Sequence, residues 1–154
     1  MKKINSVSFY GNYHGLLEEH LNVVHEHFIS KNEKQKFIYL AGDSSLDNKY
    51  WVKNQVPACN GYEEILEPPT SIPDVSHHLN HLVKGKEYVT VNCSVEATAL
   101  SDRKEGLLYQ DKFIRDNITE EDILIVSIGG NDIALKPCNL LFHSFLVLNK
   151  INWI

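Results

Sequence analysis

Three short apolar runs, each followed by polar residues, dominate the hydrophobic pattern of this chain. They occupy residues 37–41, 88–92 and 123–128 and are rich in side chains that favour strands. The runs are too short for helices, and their unbroken apolar character is typical of strands that are covered on both faces. Segments with helical character separate them, which favours parallel pairing through right-handed crossovers. The pattern therefore predicts a three-layer α/β fold with a parallel sheet.

A helical period is clearest between residues 13 and 30, where four apolar residues recur at spacings of four, three and four. These residues are Leu17, Leu21, Val24 and Phe28. The other faces of the predicted helix carry acidic residues together with His20, His25 and His27. We interpret those faces as solvated, because charge-rich helix surfaces usually are.

Capping and turn residues delimit the remaining segments. Asp74 is placed to cap a helix that ends at Gly85. Proline and glycine disfavour regular structure between residues 56 and 73. Residues 96–108 are expected to be helical in part, and residues 114–122 to form a polar connection into the third strand.

Length and composition are typical of one soluble domain that spans residues 1–154. The net charge of -5 argues against a nucleic-acid partner, which would favour a basic surface. The three cysteines lack a C-x-x-C pair, so buried thiols in a reducing compartment are expected rather than a disulfide frame or a zinc site. The first residues lack the apolar core of a signal peptide and no run is long enough to span a membrane, so a cytoplasmic location is expected.

The residues that follow the three strands carry the candidate chemistry. Ser44 follows the first strand after a tight turn, Asn92 ends the second, and Asn131 follows the third after two glycines. Parallel strands place these ends at one edge of the sheet, which is where ligands bind in open α/β folds. A serine there is a candidate nucleophile, and its own N–H and the Asn131 amide are candidate donors to an oxyanion. Taken singly, each motif is also an ordinary turn.

These segments resemble the sequence blocks of the SGNH (GDSL-type) hydrolases. Ala41-Gly-Asp-Ser-Ser-Leu46 is similar to the first block, whose serine is the nucleophile, and Ile128-Gly-Gly-Asn-Asp132 to the third, whose asparagine donates to the oxyanion. Between them, Val91-Asn-Cys-Ser-Val-Glu-Ala-Thr98 is similar to the second block, and Ala97 stands where the family has an oxyanion-binding glycine. The resemblance covers about residues 36–137.

The resemblance implies a flavodoxin-like, three-layer α/β/α fold. It also implies that the chain hydrolyses a small acyl or acetyl ester. By this resemblance Ser44 attacks the ester carbonyl, while the N–H groups of Ser44 and Ala97 and the side-chain amide of Asn131 hold the oxyanion. Three aspartates are expected to order turns and loops rather than to act in chemistry, namely Asp43, Asp47 and Asp132.

The family's catalytic base, in an Asp-x-x-His block near the C-terminus, has no counterpart after Asp132. Residues 138–154 contain His143 but no aspartate, and we interpret them either as an atypical end that leaves the fold incomplete or as a last strand or helix that closes the core. Asp74 and His77 form an Asp-x-x-His that precedes the second block, where a helix cap and a surface histidine are expected. The candidates for a replacement base are His143 and then His77.

Two functional hypotheses follow. The first is a serine ester hydrolase with negligible activity if no histidine replaces the missing base, because removing the base of a serine protease costs on the order of 10^6-fold in kcat. The second is a non-catalytic binding or interaction module that uses the same cleft. His77 and His81 have a spacing that permits metal binding, but no metal and no cofactor are expected, since nucleotide-binding glycine loops are also absent. An incomplete sheet exposes an apolar edge, which predicts self-association.

Overall fold

The structure, a computed structural model, describes residues 3–134. At its centre lies a three-stranded sheet in which β1 (Lys36–Gly42) is flanked by β2 (Tyr88–Asn92) and β3 (Ile123–Ser127). Both pairings are parallel. The predicted α/β class and the parallel sheet are therefore confirmed.

Helices and short turns connect these strands. Within the described residues the helices are α1 (Ser6–Gly11), α2 (Glu18–Lys31), α3 (Val75–Val83), α4 (Tyr109–Asn117) and α5 (Gly130–Ala134). Turns of 3-10 helix lie at Lys49–Trp51, Tyr62–Glu64 and Leu100–Arg103. Two-residue strands pair Ile4–Asn5 with Leu66–Glu67 in parallel, and Val56–Pro57 with Thr70–Ser71 in antiparallel fashion.

Alternate side chains of β1 belong to two separate hydrophobic clusters, because successive side chains of a strand point to opposite faces. Phe37 and Tyr39 lie in a cluster with residues of α2, β2 and α4. Ile38 and Leu40 lie in a second cluster with residues of α3. All four side chains are buried, and burial of a side chain of this size stabilises the fold by roughly 1.5–3 kcal/mol.

The helix predictions hold only in part. The prediction that the first long helix begins at residue 13 is wrong, because Gly15 has a φ of 79° and α2 begins at Glu18. The predicted polar connection over residues 114–122 is confirmed only for residues 118–122, since α4 extends to Asn117 and buries Ile114. Within residues 96–108 only the 3-10 turn is found before α4. The predicted cap of α3 is confirmed.

The interpretation of the α2 histidines as solvated is wrong. His20 and His27 are buried, and the half-buried His25 stacks on Phe37 with 5.0 Å between ring centroids. The imidazole ring has enough apolar surface to line a core when its nitrogen atoms find partners. Burial lowers the pKa of His25 and His27, which favours their neutral forms.

Two other sequence expectations concern the cysteines and membrane spans. Cys59 and Cys93 are buried free thiols, as expected. None of the helices within residues 3–134 is long and apolar enough to cross a membrane. Residues 138–154, with Cys138 and His143, lie outside the described residues.

Candidate active site

The tight turn at the end of β1 depends on Gly42. A Cβ at this position would stand 2.1 Å from the carbonyl oxygen of Ser127 on β3. Any side chain would force the two strands apart, whereas glycine allows the next N–H, that of Asp43, to donate to the same oxygen at 3.3 Å. The sequence pattern at the candidate nucleophile therefore has a steric cause.

Asp43 orders the turn that carries Ser44. Its carboxylate accepts the N–H of Ser45 at 2.9 Å, and its carbonyl accepts the N–H groups of Leu46 and Asp47 at 3.0 and 2.9 Å. This turn of the Asx type holds Ser44 half-buried just beyond the end of β1. Within residues 3–134 the Ser44 hydroxyl makes no hydrogen bond. The expected ordering role of Asp43 is confirmed.

The second block lies against the end of β1. The N–H of Val95 donates to the Gly42 carbonyl at 3.0 Å, and the Asn92 side-chain amide donates to the Leu46 carbonyl at 3.0 Å. Asn92 also accepts the N–H of Ser94 at 3.0 Å, which turns the chain after β2. The polar ends of β1 and β2 therefore meet, as parallel pairing predicts.

Asp47 attaches the same block through a buried ion pair. Its Oδ1 lies 2.5 Å from Lys49 Nζ, and its Oδ2 accepts the N–H of Glu96 at 3.0 Å. Burial raises the pKa of Asp47, and the neighbouring Lys49 charge opposes that rise. Removal of one member of such a pair costs about 3–5 kcal/mol, because it leaves a buried charge without a partner. The predicted loop-ordering role of Asp47 is confirmed.

Ala97 occupies an unusual backbone conformation. Its φ is 59°, in the left-handed region. This conformation costs an ordinary L-residue roughly 1–2 kcal/mol, whereas glycine adopts it freely. The backbone at residue 97 therefore has the shape expected of a glycine, although an alanine is present.

Side chains of the third block form hydrogen bonds with the backbone just after Ala97. Gly129, with a φ of 110°, turns the chain between β3 and α5. The Asn131 side-chain amide donates one hydrogen to the Thr98 carbonyl at 2.9 Å and retains a second hydrogen. Both carboxylate oxygens of Asp132 accept the N–H of Leu100 at 3.0 Å. The predicted loop-ordering role of Asp132 is confirmed.

The structure thus brings together the three segments that contain Ser44, Ala97 and Asn131. The first and second segments share backbone hydrogen bonds, and the second and third share the bond from Asn131. The first and third also meet directly, since the hydroxyl oxygens of Ser45 and Ser127 are 2.7 Å apart. The catalytic roles of the three residues remain predictions.

His77, a candidate base, has a different partner. Its Nδ1 lies 3.1 Å from Ser71 Oγ, which in turn lies 2.8 Å from the Tyr10 hydroxyl. His77 is half-buried rather than a surface histidine, and burial lowers its pKa, as do the charges of the neighbouring histidines. Within residues 3–134 no histidine hydrogen-bonds to Ser44.

A small cavity with both polar and apolar walls lies beside His77. Its volume of about 20 Å³ has room for a single water molecule, and its walls include Lys49 and Asp74. Burial raises the pKa of Asp74 to about 6, and the negative charge of Asp47 adds to the rise. The cavity is too small for an ester, so its ionisable groups affect stability rather than substrate binding.

The sequence reasoning missed a second set of contacts at the second block. The Trp51 indole N–H donates to Glu96 Oε2 at 3.2 Å, and the Tyr13 hydroxyl donates to Glu96 Oε1 at 3.4 Å. The partners are 45 and 83 positions apart in the sequence. No local spacing signals such contacts, since only the fold brings these residues together.

Residues 3–134 contain no group of three or more His, Cys, Asp or Glu side chains that could hold a metal ion.

Comparison with known proteins supplies no relative. No protein-family model, no curated protein and no solved structure matches this chain. The function of this chain is therefore inferred from the residues and the geometry of the site itself.

Proposed function

We propose that this chain is a cytoplasmic serine ester hydrolase of the SGNH type, with a three-layer α/β/α fold. Ser44 is the nucleophile, and the N–H groups of Ser44 and Ala97 and the Asn131 amide donate to the oxyanion. The substrate is a small acyl or acetyl ester. The two hydrophobic clusters on either side of β1 support the three-layer arrangement.

The observation that carries this proposal is the backbone conformation of Ala97. The resemblance assigns a glycine to this position, and the φ of 59° is the conformation that a glycine favours. The segment is held at Glu96 by Asp47 and at Leu100 by Asp132. An N–H that is fixed in this way supports a preorganised donor, which stabilises an oxyanion without reorganisation during the reaction.

The proposed reaction has two steps. In the first, Ser44 Oγ bonds to the acyl carbon, the bond from that carbon to the alcohol oxygen breaks, and the serine proton leaves with the alcohol. In the second, water attacks the acyl-serine, which releases the acid and returns a proton to Ser44. A base has to carry these protons. His143 remains a candidate for it, outside the described residues.

Hydrolysis of a short-chain nitrophenyl ester by the full chain and by Ser44→Ala tests this proposal. Turnover by the wild type that is well above the Ser44→Ala rate is the expected result for an enzyme whose base is present. Equal rates for the two proteins would contradict an ester hydrolase.

The absence of a histidine bonded to Ser44 within residues 3–134 favours a second candidate function. In this alternative the chain is a non-catalytic binding or interaction module that uses the same cleft. It predicts that a non-hydrolysable ester analogue binds, that Ser44→Ala leaves the affinity unchanged within about twofold, and that no turnover accompanies binding.

A further inference from the structure

Three aromatic side chains, Tyr13, Tyr50 and Trp51, form a cluster that the proposed reaction does not use; we refer to them as the aromatic cluster. The Tyr50 ring meets the Tyr13 ring at a centroid distance of 4.9 Å and an angle of 88°, and the Trp51 ring at 5.4 Å and 86°. Tyr50 is 54% exposed and Trp51 is 64% exposed. Nearly perpendicular aromatic rings are therefore available to solvent at one place.

A buried carboxylate holds two of these rings. Glu96, which is only 5% exposed, accepts the indole N–H of Trp51 with one oxygen and the hydroxyl of Tyr13 with the other. The backbone of Glu96 is itself bonded to Asp47. The aromatic cluster is thus anchored to the same block that carries Ala97, the next residue in the chain.

The charge of Glu96 is not neutralised by a basic side chain. Within residues 3–134 it forms no ion pair, and Lys49, which lies in the same turn as Tyr50 and Trp51, pairs with Asp47 instead. Aromatic faces attract cations. The Glu96 carboxylate, which accepts hydrogen bonds from the indole N–H and the tyrosine hydroxyl, adds negative potential. The net charge of -5 of the chain favours the approach of a cation as well.

We propose that the aromatic cluster binds a quaternary ammonium group. A primary ammonium would lose hydrogen bonds to water that ring faces do not replace, whereas a quaternary ammonium has no N–H to satisfy. A neutral alkyl group would gain nothing from Glu96. If the proposed function holds, on which this step depends, the substrate class is an ester of a quaternary ammonium alcohol, with its cationic end on the aromatic cluster.

Choline and its neutral isostere, 3,3-dimethylbutan-1-ol, have nearly the same shape and differ in charge, so their affinities test the proposal. Calorimetric titration of the full chain is expected to give at least about tenfold tighter binding of choline. Trp51→Phe retains a ring face and keeps most of this preference, whereas Trp51→Leu loses it. Glu96→Gln weakens choline binding severalfold and leaves binding of the isostere unchanged. Leu82→Ala, an exposed position on α3, serves as the control and changes neither affinity.

Equal affinity for choline and the isostere, no binding of either, or a choline affinity that Trp51→Leu does not change would overturn the proposal. A loss of the fold in the Glu96 variant is recognised from its circular dichroism. In that case the choline affinities of Trp51→Phe and Trp51→Leu test the proposal. The titration also works with Ser44→Ala. Choline binding without ester turnover therefore contradicts only the hydrolase, and turnover of neutral esters without choline binding contradicts only the aromatic site.

Discussion

At residue 97 a single side chain opposes the left-handed backbone conformation that the chain adopts. The φ of 59° places the Cβ of Ala97 in a strained position, and the hydrogen bonds at Glu96 and Leu100 keep it there. The same constraint fixes the backbone that carries the N–H used in the proposed reaction. The site therefore keeps a glycine-like geometry at a cost in stability.

Ala97→Gly is expected to raise the free energy of unfolding by up to about 1.5 kcal/mol. Relief of roughly 1–2 kcal/mol of strain outweighs the roughly 0.4–1 kcal/mol by which glycine favours the unfolded chain. Urea denaturation measures the change. Ala99→Gly is the control, because Ala99 has a φ of -118° and the substitution there destabilises. Destabilisation by both substitutions would contradict the left-handed conformation at residue 97.

Asp74 makes stability depend on pH. Its pKa is about 6 in the folded chain against an ordinary 3.8, because the side chain is buried beside the charge of Asp47. Between these values the folded chain binds more protons than the unfolded chain, so stability falls as the pH rises from about 4 to about 6. The loss attributable to Asp74 is at most about 3 kcal/mol.

Asp74→Asn is expected to remove this dependence, because asparagine caps a helix as well as aspartate does and carries no charge. The gain in unfolding free energy over the wild type should therefore grow as the pH rises from about 4 to about 7. His77 titrates in both proteins, so its contribution cancels in the difference. Chemical denaturation at several pH values measures the effect, and parallel profiles for the two proteins would rule it out.

At the scale of elements, the loop between β2 and the 3-10 turn at Leu100–Arg103 is held by side chains of other elements. Asp132→Ala is expected to speed hydrogen exchange of the Leu100 amide by about 10- to 100-fold, because a bond to a charged acceptor is worth roughly 1.5–3 kcal/mol. Asp116→Ala, which removes an exposed ion pair on α4, should leave that amide unchanged. Unchanged exchange in Asp132→Ala would show that the third block does not hold the second.

The apolar runs predict the three strands because they are short and rich in side chains that favour strands, although β3 is largely exposed, contrary to the expectation that each strand is covered on both faces. The hydrophobic pattern does not predict helix α4, because its sequence is mostly polar and its position depends on long-range contacts. The Tyr109 hydroxyl donates to the Leu16 carbonyl at 2.5 Å, and Gln110 is fully buried against the same segment. The buried histidines of α2 are missed for the same reason. Local sequence patterns show which residues are apolar. They do not show which polar residues form hydrogen bonds with distant parts of the chain.

The candidate site divides in the same way. Turn chemistry at Asp43 and the glycines on either side of the site are local, and the sequence predicts their ordering roles. The contacts of Glu96 with Trp51 and Tyr13 join residues that are far apart in the sequence, so no local pattern predicts them. The hydrogen-bond partner of His77, Ser71, is not predicted either. The identity of a base is such a long-range property, which is why the sequence yields a candidate nucleophile but does not assign its base.

At the scale of the molecule, the sheet leaves apolar surface at β3. Within residues 3–134 this strand pairs only with β1, and Leu124 and Val126 are exposed. We expect the chain to self-associate through this edge as its concentration rises. Val126→Lys should weaken association at least tenfold, whereas Leu82→Lys on α3 should not. Sedimentation velocity over a range of concentrations decides this, and a wild type that stays monomeric throughout would contradict the expectation.

The central claim is that the ends of the three strands form an oxyanion-binding site at Ser44. Acetylation of the full chain by nitrophenyl acetate, followed by mass spectrometry of its peptides, tests the claim whether or not a base completes turnover. The predicted result is acetyl transfer to Ser44 that falls about 10²- to 10³-fold in Asn131→Ala and is unchanged in Asn117→Ala, a position on α4. Acetylation spread evenly over the surface serines, or a rate at Ser44 that Asn131→Ala does not alter, would contradict it.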